Sequence, residues 1–90
     1  MNKQEKERLI KMLSNNFKNK EIYIVFTGAI SNYTIIMNNI KFFVTKDLII
    51  LVNEDDRELH IDPFYIEDIK YRNHTIKIEM TGEYSITIDN

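Results

Sequence analysis

Residues 75–89 read TIKIEMTGEYSITID, and this stretch decides the fold. Ile76, Ile78 and Met80 alternate with Lys77 and Glu79. After Thr81-Gly82-Glu83 the alternation resumes, with Tyr84, Ile86 and Ile88 set against Ser85 and Thr87. Side chains of an extended chain point alternately to opposite faces. The pattern therefore predicts a hairpin of two strands, Thr75–Met80 and Tyr84–Asp89, with one apolar face and one wet face. Gly82 supplies the turn.

Working backward, the stretch PFYIEDIKY (63–71) starts at the only proline and places Ile66 and Ile69 three apart. That spacing predicts a single helical turn or an irregular crossing. Before it, Leu48–Val52 and Glu58–Ile61 read as strands joined at Asn53–Asp56. Ile40–Thr45 reads as another strand, with Ile40, Phe42 and Val44 on one face and a turn at Lys46-Asp47. Tyr33–Met37 runs into Asn38-Asn39, a dipeptide that tolerates positive φ and predicts a two-residue hairpin turn. Ile22–Phe26 is apolar on both faces and predicts a central strand, with Gly28 marking a bend or bulge.

Residues 3–18 change period. Leu9, Leu13 and Phe17 recur every four positions, and Ile10 widens the stripe, which predicts an amphipathic helix. Asn2 is its N-cap and Glu5 stands three residues on, in the capping-box place. The asparagines of NNFKNK (15–20) end it. The fold class is thus α+β: a helix within 1–20 packed on a meandering antiparallel sheet or half-barrel of six to seven short strands over 21–90, one domain in all. The expected core is Leu9, Leu13, Phe17, Ile24, Phe26, Ile35, Phe42, Ile50, Ile66, Ile69, Ile78, Ile86 and Ile88.

A chain of 90 residues buries only roughly 60–65% of its unfolded surface, so its core must be rich in large side chains. With 43% hydrophobic residues, five Phe, five Tyr and sixteen Ile, it is. There is no Cys, which excludes disulfides, thiolate nucleophiles and cysteine zinc sites. No apolar run approaches the roughly 18 residues of a membrane span, and no secretory leader is recognisable. A soluble, cytoplasmic domain is the expectation. Ile, Lys and Asn make up 35 of the 90 residues, and their AT-rich codons point to an AT-rich bacterial or mobile-element gene.

The net charge of −2 hides a separation. Residues 1–20 sum to +4, whereas residues 53–68 sum to −6 because Glu54, Asp55, Asp56, Glu58, Asp62, Glu67 and Asp68 face only Arg57. Asp56, Glu58, His60 and Asp62 share one face if extended, which raises the question of a metal. Positions four apart on a strand lie about 13 Å from one another, so one strand cannot close a coordination sphere. Neither a metal nor a cofactor is expected. Two histidines, His60 and His74, and three serines, Ser14, Ser31 and Ser85, form no nucleophile–base pattern. There is no phosphate-loop motif, so no enzyme is expected.

The segment LHIDPFYIEDIKYRNHTIKIEMTGEYSITI (59–88) follows a plan of strand, Ile-x-x-Ile, strand, turn, strand. It resembles small β-barrels of the Sm-like and pleckstrin-homology-like kinds, and the resemblance implies a small barrel. The Sm glycine and aspartate motifs are missing, and the helix lies at the opposite end from that of pleckstrin-homology-like domains. No functional residue is carried over.

What remains is recognition. Clustered carboxylates repel one another and attract a basic partner. The expectation is a small non-enzymatic binding protein that contacts a larger protein with a basic surface through Glu54, Asp55, Asp56, Glu58, Tyr65, Glu67 and Asp68. A nucleic-acid-handling enzyme inhibited in the manner of an anti-CRISPR protein fits that description, with no membrane and no small-molecule substrate involved. Two rival expectations are an RNA-binding small barrel using Lys3, Lys6, Arg8 and Lys11 of the helix, and a self-assembling subunit joined by a strand edge.

Overall fold

The computed structural model describes residues 2–28 and 31–90. Among them are helix α1 (Lys3–Phe17) and eight strands: β1 (Ile22–Thr27), β2 (Asn32–Met37), β3 (Lys41–Val44), β4 (Ile49–Val52), β5 (Glu58–Ile61), β6 (Ile66–Arg72), β7 (Thr75–Met80) and β8 (Tyr84–Asp89). A 3-10 turn, Pro63–Tyr65, precedes β6. The strand pairings are antiparallel. They build a five-stranded sheet of order β2-β1-β8-β7-β6 and a three-stranded sheet of order β3-β4-β5. The α+β class and the helix-on-sheet architecture follow the expectation, with a somewhat higher strand count. β1 is central, as expected, because β8 returns to pair with it from Tyr23↔Asp89 to Thr27↔Ser85.

The helix begins where the sequence puts it. Asn2 Oδ1 accepts the Glu5 N–H at 2.8 Å, satisfying one of the orphan donors of the first turn. The end comes one residue earlier than expected, and Asn19 (φ 60°) turns the chain out of the helix. Leu9, Leu13 and Phe17 are completely buried between the two sheets. The core they join contains Ile22, Ile24, Ile78, Ile86 and Ile88 of the larger sheet and Ile49, Leu51 and Ile61 of the smaller.

Four expectations need correction. First, the single helical turn expected within 63–71 is confined to Pro63–Tyr65, and 66–72 is a strand. The three-residue Ile66–Ile69 spacing is a β-bulge: Ile66 faces Met80 while Asp68 faces Glu79, so Glu67 is an extra residue. The insertion reverses the parity of the strand and lets both isoleucines face inward. Second, Asn38-Asn39 does not close a hairpin, because β2 and β3 belong to different sheets; with Asn39 at φ 50° it is a corner between them. Third, Ile50 lies on the outer face of β4, and Ile49 and Leu51 are the buried pair. The run IILV is apolar at every position, so alternation alone could not choose its inner face. Fourth, β3 is shorter than Ile40–Thr45, and its residues do not share one fate: Ile40 is buried, Phe42 half-buried and Val44 exposed. Ile35 and Ile69 pack against the core from half-buried positions.

The face assignment of β4 is directly measurable. Leu51→Ala should cost about 2–5 kcal/mol in urea unfolding, as for a fully buried leucine. Ile50→Ala should cost clearly less, and equal losses would overturn the register.

Candidate functional site

The acidic tip between β4 and β5 is built on Asn53, which is only 5% exposed. Its Oδ1 accepts the Asn38 N–H at 2.6 Å, and its Nδ2 donates to Asp55 Oδ1 at 2.7 Å. The Asn53 N–H donates to the Arg57 carbonyl at 2.8 Å, the Asp56 N–H to the Asn53 carbonyl at 2.9 Å, and the Glu54 N–H to the Asn38 carbonyl at 3.2 Å. Asn39 Nδ2 then reaches Glu54 Oε2 at 2.6 Å. The tip is therefore laced to the 38–39 corner.

Asp55 is the staple inside that tip. It accepts the Arg57 N–H at 3.1 Å and pairs with Arg57 Nε at 2.7 Å. The Arg57 backbone N–H holds its carboxyl below the usual range; desolvation opposes it, and the Asn53 amide and the Arg57 side chain add to the lowering. Asp56 sits at φ 69°. Glu58 is hydrogen-bonded to His60 Nε2 at 2.8 Å.

The second part of the expected surface lies at the other corner between the sheets. Asp62 Oδ1 accepts the Phe64 N–H at 2.9 Å, and the Tyr65 N–H donates to the Asp62 carbonyl at 3.1 Å. Pro63 starts the 3-10 turn and is buried. Thr81 clamps the far side, its N–H donating to the Tyr65 carbonyl at 2.8 Å and its hydroxyl at 3.2 Å. On this hydrogen-bonded turn Phe64 is 82% exposed and Tyr65 50% exposed. Their rings meet edge to face at 5.1 Å. An open groove of about 700 Å³ separates the pair from Asn2, Lys3 and Lys6 of the helix start and Lys46 and Asp47 of the β3–β4 turn. A second depression of about 330 Å³ lies between Glu5 and Arg8 on one side and Glu67, Asp68 and Tyr71 on the other.

The structure thus divides the seven expected contact residues. Glu54, Asp55, Asp56 and Glu58 adjoin the 38–39 corner, near the end of α1, where the Asn19 N–H donates to the Ile40 carbonyl at 3.2 Å. Tyr65, Glu67 and Asp68 adjoin the start of α1. At about 1.5 Å of rise per helical residue, the two groups stand on the order of 15–20 Å apart.

The basic helix residues are partly spent on the fold. Lys6 Nζ donates to the carbonyls of Thr45 and Lys46 at 3.3 and 3.1 Å. The Arg8 guanidinium lies 4.6 Å from the centre of the Tyr71 ring. Lys3 lines the groove, and Lys11 is exposed. Among the described residues, the ion pairs Arg57–Asp55 and Lys70–Glu79 and the His60–Glu58 hydrogen bond link no helix cation to the acidic segment.

A basic patch that sequence reasoning missed lies on the outer face of the larger sheet. Lys70 stands directly opposite Lys77, with Arg72 opposite Thr75. Reading 66–72 as a strand would have revealed it.

Among the described residues no group of three His, Asp or Glu side chains is placed to hold a metal ion. Ser14 lies on α1, Ser85 on β8 and His60 on β5. No helix among the described residues is long and apolar enough to cross a membrane. No family model, no curated protein and no solved structure matches the chain.

Two measurements probe the tip. Asn53→Ala leaves the half-buried Asn38 N–H without its partner and should cost about 1–3 kcal/mol, whereas Asp56→Asn should be nearly neutral. For Asp55 the folded value is depressed, so its stabilisation is complete above the ordinary aspartate range (about pH 3.9) and fades as pH falls below it. Asp55→Asn should therefore lower stability at neutral pH and flatten the acid limb of the stability curve, and an unchanged acid limb would contradict the staple.

Proposed function

We propose that the protein is a small non-enzymatic binding protein that acts by occupying a surface of a larger protein, with the Phe64–Tyr65 corner at the centre of the contact. One observation carries this reading: a phenylalanine 82% exposed to water on a turn bonded at both ends. Isolated surface apolar residues are ordinary. An exposed aromatic pair on a hydrogen-bonded turn beside a groove is the form that binding anchors take, because its backbone is already ordered before docking. Glu67 and Asp68 flank the pair and complement Lys and Arg on a partner. Asp56 and Glu58 offer a second, outlying contact, while Glu54 and Asp55 are already engaged within the fold. The narrower reading, an inhibitor of a nucleic-acid-handling enzyme acting as a carboxylate decoy for phosphate, rests on the flanking carboxylates.

Site-specific photocrosslinking tests the proposal. A photoreactive residue at 64 should capture a discrete protein from nuclease-treated bacterial lysate, competed away by wild-type protein but not by the Phe64→Ser, Tyr65→Ser double variant. The same products from a probe at Glu83 would overturn the assignment. Since both aromatics are exposed, the double variant should unfold within about 0.5 kcal/mol of the wild type. Glu67→Lys with Asp68→Lys should weaken capture if the partner is basic, and unchanged capture would remove the inhibitor reading.

A further inference from the structure

Among the described residues the two sheets have four edges, β2 and β6 in the larger and β3 and β5 in the smaller. An edge strand displays unpaired N–H and C=O groups, and proteins blunt such edges with charge, proline, bulges, shortness or a covering element. Three of these four edges are blunted. β6 carries the Glu67 bulge and the outward charges Asp68, Lys70 and Arg72. β5 has four residues, exposes Glu58 and His60, and runs into Pro63. β3 also has four residues. Helix α1 is clasped beside it, with the Ile40 carbonyl taken by Asn19 and the Thr45 and Lys46 carbonyls taken by Lys6.

Among the described residues β2 shows none of these devices. Its six residues, Asn32-Tyr-Thr-Ile-Ile-Met37, contain no charge, no proline and no glycine, and its ladder with β1 runs unbroken from Thr27↔Asn32 to Ile22↔Met37. Tyr33 is 57% and Ile36 48% exposed.

We propose that β2 is the interface of a two-fold dimer, pairing antiparallel with β2 of a second copy to make one continuous ten-stranded sheet. The occupant is a second copy because the strand is complementary to itself. An antiparallel register centred on Thr34 sets Tyr33 against Ile35 and Asn32 against Ile36. Inward residues then meet inward residues, and outward meet outward. The aromatic and β-branched pair Tyr33–Ile35, made twice by the symmetry, is of the stabilising kind. A neutral strand approaches its own copy without like-charge contact, and the closed symmetry consumes both open edges.

Sedimentation equilibrium from about 10 μM to about 1 mM, the range of weak interfaces, tests this. The wild-type mass should rise from that of one chain to that of two and stop there. Thr34→Lys, an outward and exposed position, should hold the mass at one chain across the range with an unchanged far-UV spectrum and Tm. Hydrogen exchange on the wild type provides a readout that needs no variant: amides 32–37 should gain protection as concentration rises, while amides 66–72 should not. A single-chain mass at 1 mM, growth beyond two chains, self-association undiminished in folded Thr34→Lys, or equal protection at both edges would each overturn the proposal.

Discussion

Everything in this molecule leans on the burial of Leu9, Leu13 and Phe17. Two sheets of unequal size meet at two tight corners, residues 38–40 and 62–65, and the space between them is filled by one face of one helix. A chain this small has no second layer to compensate, so the apolar area that α1 removes from water is a large share of what holds the sheets together. Polar contacts then fix where the helix lies. Lys6 and Asn19 grip the two ends of β3, and Arg8 covers Tyr71 on β6. The charges that looked in sequence like a nucleic-acid face therefore partly act as clasps.

The same economy governs the acidic stretch. A run of carboxylates between 53 and 68 suggests one negative surface, yet the backbone passes through a strand, a turn and a corner over that distance. Its members end up at opposite ends of the helix. Several are occupied by local geometry: Asp55 closes the tip, Asp62 caps a turn, and Glu54 bonds to Asn39. Short acidic and amide side chains do this readily because they reach neighbouring backbone N–H groups. What is left facing solvent is less a field of charge than an aromatic pair with carboxylates beside it.

Where alternation was strict, the sequence was readable. The hairpin 75–89 and the helix stripe needed nothing beyond period and caps. Legibility failed where two explanations share one pattern. IILV is apolar on both faces, so only the pairing of Ile50 with His60 reveals which way it points. Ile66 and Ile69 mimic a helical turn because a bulge and a helix both bring residues three apart to one side. Asn38-Asn39 carries the chemistry of a hairpin turn, and the same tolerance of positive φ serves a corner. The Phe64–Tyr65 corner was half legible: Pro63 announced a break, but the anchor of the turn is Thr81, a residue from another hairpin that bonds the Tyr65 carbonyl.

The pairing of β1 with β8 carries a consequence for how the chain assembles. Tyr23 meets Asp89, and Thr27 meets Ser85, so this ladder of the larger sheet joins segments far apart in the sequence. The hairpins β3–β4 and β6–β7 close over short loops, which is entropically cheap. The β1–β8 ladder is closed only when the last of these strands has left the ribosome. Until then β1 has an open flank and the core lacks Ile86 and Ile88. A topology of this kind folds slowly for its size, and any truncation inside β8 removes the seam as well as a strand.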